Sequence, residues 1–275
     1  MAIFYHYPKG FVMIGAIIGD VVGSRFEFHN IKSKQFQFWH NDCHPTDDTF
    51  LTCAVADWLL NGGAIENFLG TWGTKYKDIT FEAGKISAFS SGFTNWLSTP
   101  QPYNADTNGC IMRISPILDF FDDYDQMLSV AKQSTNITHN HPDSINATYA
   151  YITTGYMLKT KQNIQEIKNT VSKKCDYDLF RTIDEIRPTY NKFFCKCKNS
   201  VPQAIICALD SKSFTDAIRN AISIGGDSDT LAAMAGGLAE IRFGVPQTYK
   251  DKVQNYLDSN IKETIAKFYA KISTR

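Results

Sequence analysis

With 275 residues, 43% of them hydrophobic, the chain is long enough to bury a substantial core in one domain or two. Its 28 Lys and Arg balance 28 Asp and Glu, so no overall field draws it to nucleic acid or to an anionic membrane, and any charged ligand must be recognised locally. Seven cysteines, an odd number without a disulfide framework, suit a reducing compartment, and a cytoplasmic location is expected.

Residues 1–12 carry aromatic and basic residues without periodicity and read as an N-terminal extension, with Met13 a candidate natural start. The first apolar run, Phe11 to Ile18, is too short to span a bilayer and is stopped by Asp20, so no membrane or signal segment is evident. From Ile14 a helix is predicted whose glycines, Gly15, Gly19 and Gly23, fall four apart on one face and admit a close neighbour. Asp20 and Glu27 beside that apolar helix must be exposed or paired, and either is placed to face a polar pocket. An apolar-periodic helix follows from Phe50 to Leu60, closed by Gly62-Gly63, then helices over Ala64 to Tyr76 and Ser87 to Leu97 and a proline-containing loop at 99–102. Asn108-Gly109 makes a turn ahead of another helix.

Thr138-His139-Asn140-His141-Pro142 leads into a helix from Ser144 to Leu158; its His-x-His pair can contact metal or substrate, or serve as a loop and cap. Residues 159–199, rich in Lys, Asn and Tyr, read as surface helices and a variable connection without nameable chemistry. Helices are predicted over Val201 to Leu209, Phe214 to Ile224 and Thr230 to Phe243, with one or two more in Tyr249 to Ala270. No strand signal outweighs these, and no solenoid repeat, P-loop or linker is present. The fold expected is all-α, a single compact domain over 13–275.

Two polar stretches carry the chemistry. Gly225-Gly226-Asp227-Ser228-Asp229-Thr230 sits between two predicted helices, and its carboxylates and hydroxyl, freed by two glycines, form oxygen ligands for a hard cation. The helix after it holds Ala232, Ala233, Ala235, Gly236 and Gly237, small residues that let other helices approach. Far upstream, His44-Pro45-Thr46-Asp47-Asp48-Thr49 places another Thr and two more Asp at another helix N-terminus. If the two meet in a buried pocket, four carboxylates repel unless cations neutralise them. An all-oxygen set favours magnesium, manganese or calcium over zinc, and the ligand count exceeds one magnesium, so two ions are the simpler account. An EF-hand starting at Asp227 fails, because Leu231, Ala232 and Leu238 stand where an oxygen, Gly and Glu are required. Cys195-x-Cys197 with Cys207 lacks zinc-site spacing and reads as free thiols.

Gly19-Asp20-x-x-Gly23 with Glu27, Thr46-Asp47-Asp48-Thr49, Asn108-Gly109-x-x-Met112-Arg113, Thr138-His139 and Gly225-Gly226-Asp227-x-Asp229-Thr230 occur in the order seen in the ADP-ribosylglycohydrolases. The chain resembles that family, which includes the dinitrogenase reductase-activating glycohydrolase, from about Met13 to Pro246 apart from 160–199. The resemblance implies an all-α orthogonal helical bundle with two Mg2+ or Mn2+ ions in a central cleft. By matched position Thr46, Asp47, Asp48, Asp227, Asp229 and Thr230 are the implied metal ligands. Glu27 is the implied acid of the loop over the site, and Glu27, Asp48 and Asp227 are the candidates for moving protons. Asp106, Asn108, Gly109, Met112, His139, Gly225 and Gly226 are the implied substrate contacts, with the N–H groups of Gly225 and Gly226 and the loop at 108–109 expected to cradle a diphosphate.

The implied reaction is hydrolysis at the anomeric carbon of ADP-ribose joined to a protein side chain, arginine first, or to a small acceptor. The implied partner is an ADP-ribosylated protein or small ADP-ribosyl substrate, with no membrane or nucleic-acid partner, and a monomer is expected. Two departures stand out: Thr107 replaces the family's usual Gly before Asn-Gly, and Ala105-Asp106 replace a small–aromatic pair. The rivals are a catalytically inactive ADP-ribose-binding module and an Asp-x-Asp phosphohydrolase. The latter needs a strand before Asp227.

Overall fold

The computed structural model describes residues 12–81 and 86–274, so the expected extension lies outside the described residues except for Val12. In chain order the helices are α1 Met13–Gly23, α2 Asp47–Asn61, α3 Ile65–Tyr76, α4 Ser91–Ser98, α5 Ser115–Phe120, α6 Tyr124–Asn136 and α7 Pro142–Lys159. After these come α8 Ile164–Cys175, α9 Ile183–Ile186, α10 Cys197–Asp210, α11 Phe214–Ile224, α12 Ser228–Phe243, α13 Gln247–Val253 and α14 Ser259–Ile272. Short 3₁₀ turns at Ser24–Phe26 and Asn108–Cys110 complete the helical inventory of the described residues.

Most starts are written locally. Thr46, Ser90, Asp123, Asn163, Thr182, Ser213 and Asp258 each accept a hydrogen bond from a first-turn N–H of the helix they precede. Six helices, α1, α3, α5, α10, α12 and α13, have no side-chain cap, and among them α1 is buried throughout. Its donors are met from a distance: Val12 and Met13 donate to the Asp119 carboxylate at 2.7 and 3.0 Å, and Gly15 to Glu240 Oε2 at 2.6 Å. Burial raises the Asp119 pKa to about 8 and pushes Glu240 well above its usual range. These acids satisfy orphan donors at a buried helix end.

Such long-range capping is needed because α1 is buried along its whole length, and α12 is buried from Ser228 to Glu240. The two form the centre of the molecule, back to back. A methyl at Gly19 would stand 2.0 Å from the Ala232 carbonyl oxygen, one at Gly15 would stand 2.5 Å from that of Gly236, and one at Gly23 would stand 2.5 Å from the Asp229 Cα. No residue but glycine permits this approach. The predicted glycine face of α1 and the small residues of α12 are thus two halves of one contact.

Around this pair pack α2, α7, α10 and α11. Tyr151 of α7 donates to the Met234 carbonyl at 3.1 Å, and Arg242 of α12 donates to the Ala208 and Leu209 carbonyls that end α10. Each outer helix turns one apolar stripe inward, as α14 does with Ile261, Ile265 and Phe268.

One local boundary needs correction. The helix expected over Ser87 to Leu97 is present as α4 but starts only at Ser91, because Ser87 ends an unexpected two-stranded antiparallel pair, β1 Thr80–Phe81 with β2 Ile86–Ser87. The Ser90 side chain accepting from Phe93 N at 3.3 Å marks that start, and aromatics on either side masked the break. Tyr249 to Ala270, expected to hold one helix or two, holds two, with Asp258 capping the second.

Candidate active site

Because α1 and α12 touch through backbone, the start of α12 lies beside the C-terminal half of α1, where Asp20 projects. Asp20 is fully buried, and its carboxylate gathers the start of α2. It accepts from Thr46 N at 3.0 Å, Thr46 Oγ1 at 2.7 Å, Thr49 N at 3.1 Å and the Thr49 hydroxyl. One acid therefore pins the upstream Thr-Asp-Asp-Thr turn to α1, the helix against which the start of α12 and its Asp-Ser-Asp-Thr turn pack. Thr230 Oγ1 donates to Asp48 Oδ2 at 3.0 Å and closes the join.

The outcome is two groups of three acids, Asp20-Asp48-Asp229 and Glu27-Asp227-Asp229, each offering oxygens within 4.8 Å of one another and sharing Asp229. Among the described residues no Arg or Lys is paired with them. Burial raises the pKa of Asp20 and Asp227, and burial with the neighbouring acids pushes Asp47, Asp48 and Asp229 well above their ordinary range. Glu27 rises to about 9, chiefly through burial and then through the charges of Asp227, Asp47 and Asp20, while sharing a hydrogen bond with Asp229. Asp48 Oδ1 and Asp229 Oδ1 are buried without a hydrogen-bond partner. Unpaired carboxylate oxygens facing like charge are costly, and a hard divalent cation is the group that such a donor set fits.

Local chain chemistry aims these acids. Gly225 and Gly226 adopt φ of +82° and +72°, the left-handed region that suits glycine, and turn the chain sharply out of α11. Asp227 then occupies the N-cap position of α12 without capping it. Its Oδ2 instead accepts from Asn108 Nδ2 at 2.7 Å. Helices flank Asp227 on both sides, where an Asp-x-Asp phosphohydrolase needs a strand.

Above the acids opens a cavity of about 450 Å3. Glu27, Asp47, Asn108, Gly109, Met112, His139, Asp227, Asp229 and Thr230 line it, as expected of site residues. Asp48 and Thr46 lie buried beneath, with the Thr46 hydroxyl donated to Asp20. The expectation that Gly225 and Gly226 N–H groups cradle a diphosphate does not hold. Gly225 N donates to Ile222 O at 3.0 Å and Gly226 N to Asn30 Oδ1 at 2.6 Å, so both donors are occupied and neither residue lines the cavity. Asp106 is also turned aside, its carboxylate paired with Lys196 at 2.7 Å.

His139 is held by both ring nitrogens, Nδ1 to Thr138 Oγ1 at 2.6 Å and Nε2 to Thr107 Oγ1 at 2.9 Å. Burial and the nearby Arg113 lower its pKa to about 3, so the ring is neutral at ordinary pH.

The wall contributed by the connection expected to carry no chemistry is a further correction. Asn108 N donates to Cys195 O at 2.7 Å, Cys197 N donates to Asp106 O at 2.8 Å, and Thr107 bridges Lys196. Phe193 and Cys195 thereby line the cavity, and the exposed Phe193 and Phe28 rings stack at its mouth with centroids 5.7 Å apart. Nothing in the composition of 159–199 signals this; two aromatics at 193–194 amid Lys and Asn are the only hint.

Comparison with known proteins settles the lineage. A family model described as ADP-ribosylglycohydrolase matches residues 11–275. The chain belongs to the ADP-ribosylglycohydrolase family. The all-α bundle is the fold of that family. A solved structure described as an "ADP-ribosylglycohydrolase-related protein complex" superposes with a TM-score of 0.69 at 16% identity, covering 94% of each chain. No curated protein sequence matches. Membership in the ADP-ribosylglycohydrolases points to hydrolase activity of that type, and among the described residues no helix is long and apolar enough to cross a membrane.

Proposed function

We propose that the cleft cleaves the bond between the anomeric carbon of ADP-ribose and a protein side chain, arginine first, in a monomeric cytoplasmic enzyme using two Mg2+ or Mn2+ ions. The observation that carries this reading is the pair of acid groups sharing Asp229, with unpartnered oxygens on Asp48 and Asp229, at the floor of a cavity large enough for a nucleotide sugar. Asp48, Asp227 and Asp229 would hold the ions, with Thr230, Asp47 and Thr46 completing the set as proposed ligands. When bound, such ions supply positive charge to ribose hydroxyls and to a water, in a site whose own charge is negative. Seven free cysteines support the cytoplasmic assignment.

The chain's own residues do the rest. Asn108 fixes the orientation of Asp227. Glu27, half-buried on the cavity wall and bonded to Asp229, is positioned to deliver its proton to the departing side-chain atom. Asp227 or Asp48 then takes a proton from the attacking water. Phe28 and Phe193 exclude solvent at the mouth, which strengthens every charge interaction inside.

The test is release of ADP-ribose from arginine- and serine-linked ADP-ribosyl proteins, with Mg2+ or Mn2+ and with chelator. The proposal expects metal-dependent release from the arginine-linked substrate. Binding of ADP-ribose without release from either would instead identify an inactive binding module.

A further inference from the structure

A hydrogen-bond chain reaches Thr107, on the cavity wall, from a buried cation. Arg113, 1% exposed, is the one Arg or Lys among the described residues lining the cleft. Its NH2 donates to Thr138 Oγ1 at 2.9 Å; Thr138 Oγ1 lies 2.6 Å from His139 Nδ1, and His139 Nε2 lies 2.9 Å from Thr107 Oγ1. Two proton arrangements satisfy these distances, and they differ in which threonine keeps an uncommitted hydroxyl hydrogen. If His139 carried its proton on Nδ1, the loose hydrogen would belong to Thr138, which is fully buried with no other acceptor at its hydroxyl. A donor stranded there costs its full desolvation. If the proton is on Nε2, Thr138 donates to Nδ1, Nε2–H donates to Thr107, and the loose hydrogen lies on Thr107, which lines the open cavity. The second arrangement wins, because only there can an incoming group accept that hydrogen.

The geometry points to Thr107 as a fixed, cation-backed O–H donor that binds an anionic phosphate oxygen of the substrate beside the acid floor. This inference rests on the reading of the cleft as an ADP-ribosyl site and names the group that reads its phosphates. It answers a need that the structure creates: Gly225 and Gly226 have no N–H to offer, and the one guanidinium among the described cleft residues is 1% exposed with its NH2 given to Ser134 O and Thr138 Oγ1. Donor polarity passed along the chain from Arg113 favours an anion over a neutral hydroxyl.

Isothermal titration of the Mg2+-loaded protein with ADP-ribose and with phosphate-free adenosine, comparing wild type, Thr107→Val and Thr107→Ser, decides it. Valine keeps the shape and deletes the donor, while serine keeps the donor. The expected result is a loss of at least about tenfold in ADP-ribose affinity for Thr107→Val. Serine should recover most of that loss, and adenosine binding should not change. In turnover, the valine effect should fall on KM with kcat kept. Equal ADP-ribose affinity for wild type and Thr107→Val, or equal losses for serine and valine, overturns the inference while leaving the active-site reading intact. Failure of the wild type itself to bind ADP-ribose overturns both.

Discussion

At the scale of single residues, Asp229 is the member common to both acid groups, so its replacement should act on activity and on stability in opposite directions. Asp229→Ala is expected to lower ADP-ribose release by at least about 100-fold, since the shared ligand of the proposed metal set is gone. The same change removes one of several buried, mutually repelling carboxylates. In chelator, therefore, the variant should melt no lower than wild type, and thermal denaturation compared with and without metal checks both halves. A variant that melts much lower in chelator would show that Asp229 holds the fold together instead. Asp20 and Glu27 illustrate what spacing alone leaves open. Each belongs to one of the acid groups, yet Asp20 is fully buried and spends its oxygens on the start of α2, while Glu27 lies on the cavity wall. Their partners come from chain positions that local pattern does not connect.

At the scale of elements, the α1–α12 contact sets the site, because it brings Asp20 alongside Asp229. Gly19→Ala would drive a methyl to 2.0 Å from a backbone oxygen, which neither helix can yield cheaply. The expected cost is about 3 kcal/mol or more by urea unfolding. Gly70→Ala in α3 is the control: a Cβ there meets nothing within 4 Å, so better helix propensity should stabilise by about 0.5–1 kcal/mol. Most helices were legible because caps and apolar period are local signals, as at Ser213 and Phe214 for α11. The glycine face of α1 and the small residues of α12 were legible as well, though which helix met which was not. The hairpin at 80–87 and the cleft wall at 193–197 escaped because short strands and bridged loops take their shape from partners distant in sequence.

At the scale of the whole molecule, the acid cluster makes stability depend on pH and on divalent metal together. Acids such as Glu27, raised from 4.5 to about 9, hold more protons in the folded than in the unfolded state between those values. Stability without metal must therefore fall as pH rises through that window, the reverse of an ordinary paired carboxylate. Bound divalent cations replace the protons and should flatten the slope. Melting temperatures of chelated and Mg2+-loaded protein at pH 6 and pH 8.5 check this. The expected pattern is a clear drop for the chelated form and little change for the loaded one.

The central claim is that acids from the two ends of the chain share divalent cations at the floor of the cleft. Anomalous diffraction from crystals grown with Mn2+ tests it most directly. The account predicts manganese peaks bonded to the carboxylates of Asp48 and Asp229. Manganese bound elsewhere, with those carboxylates bare at saturating metal, would contradict it.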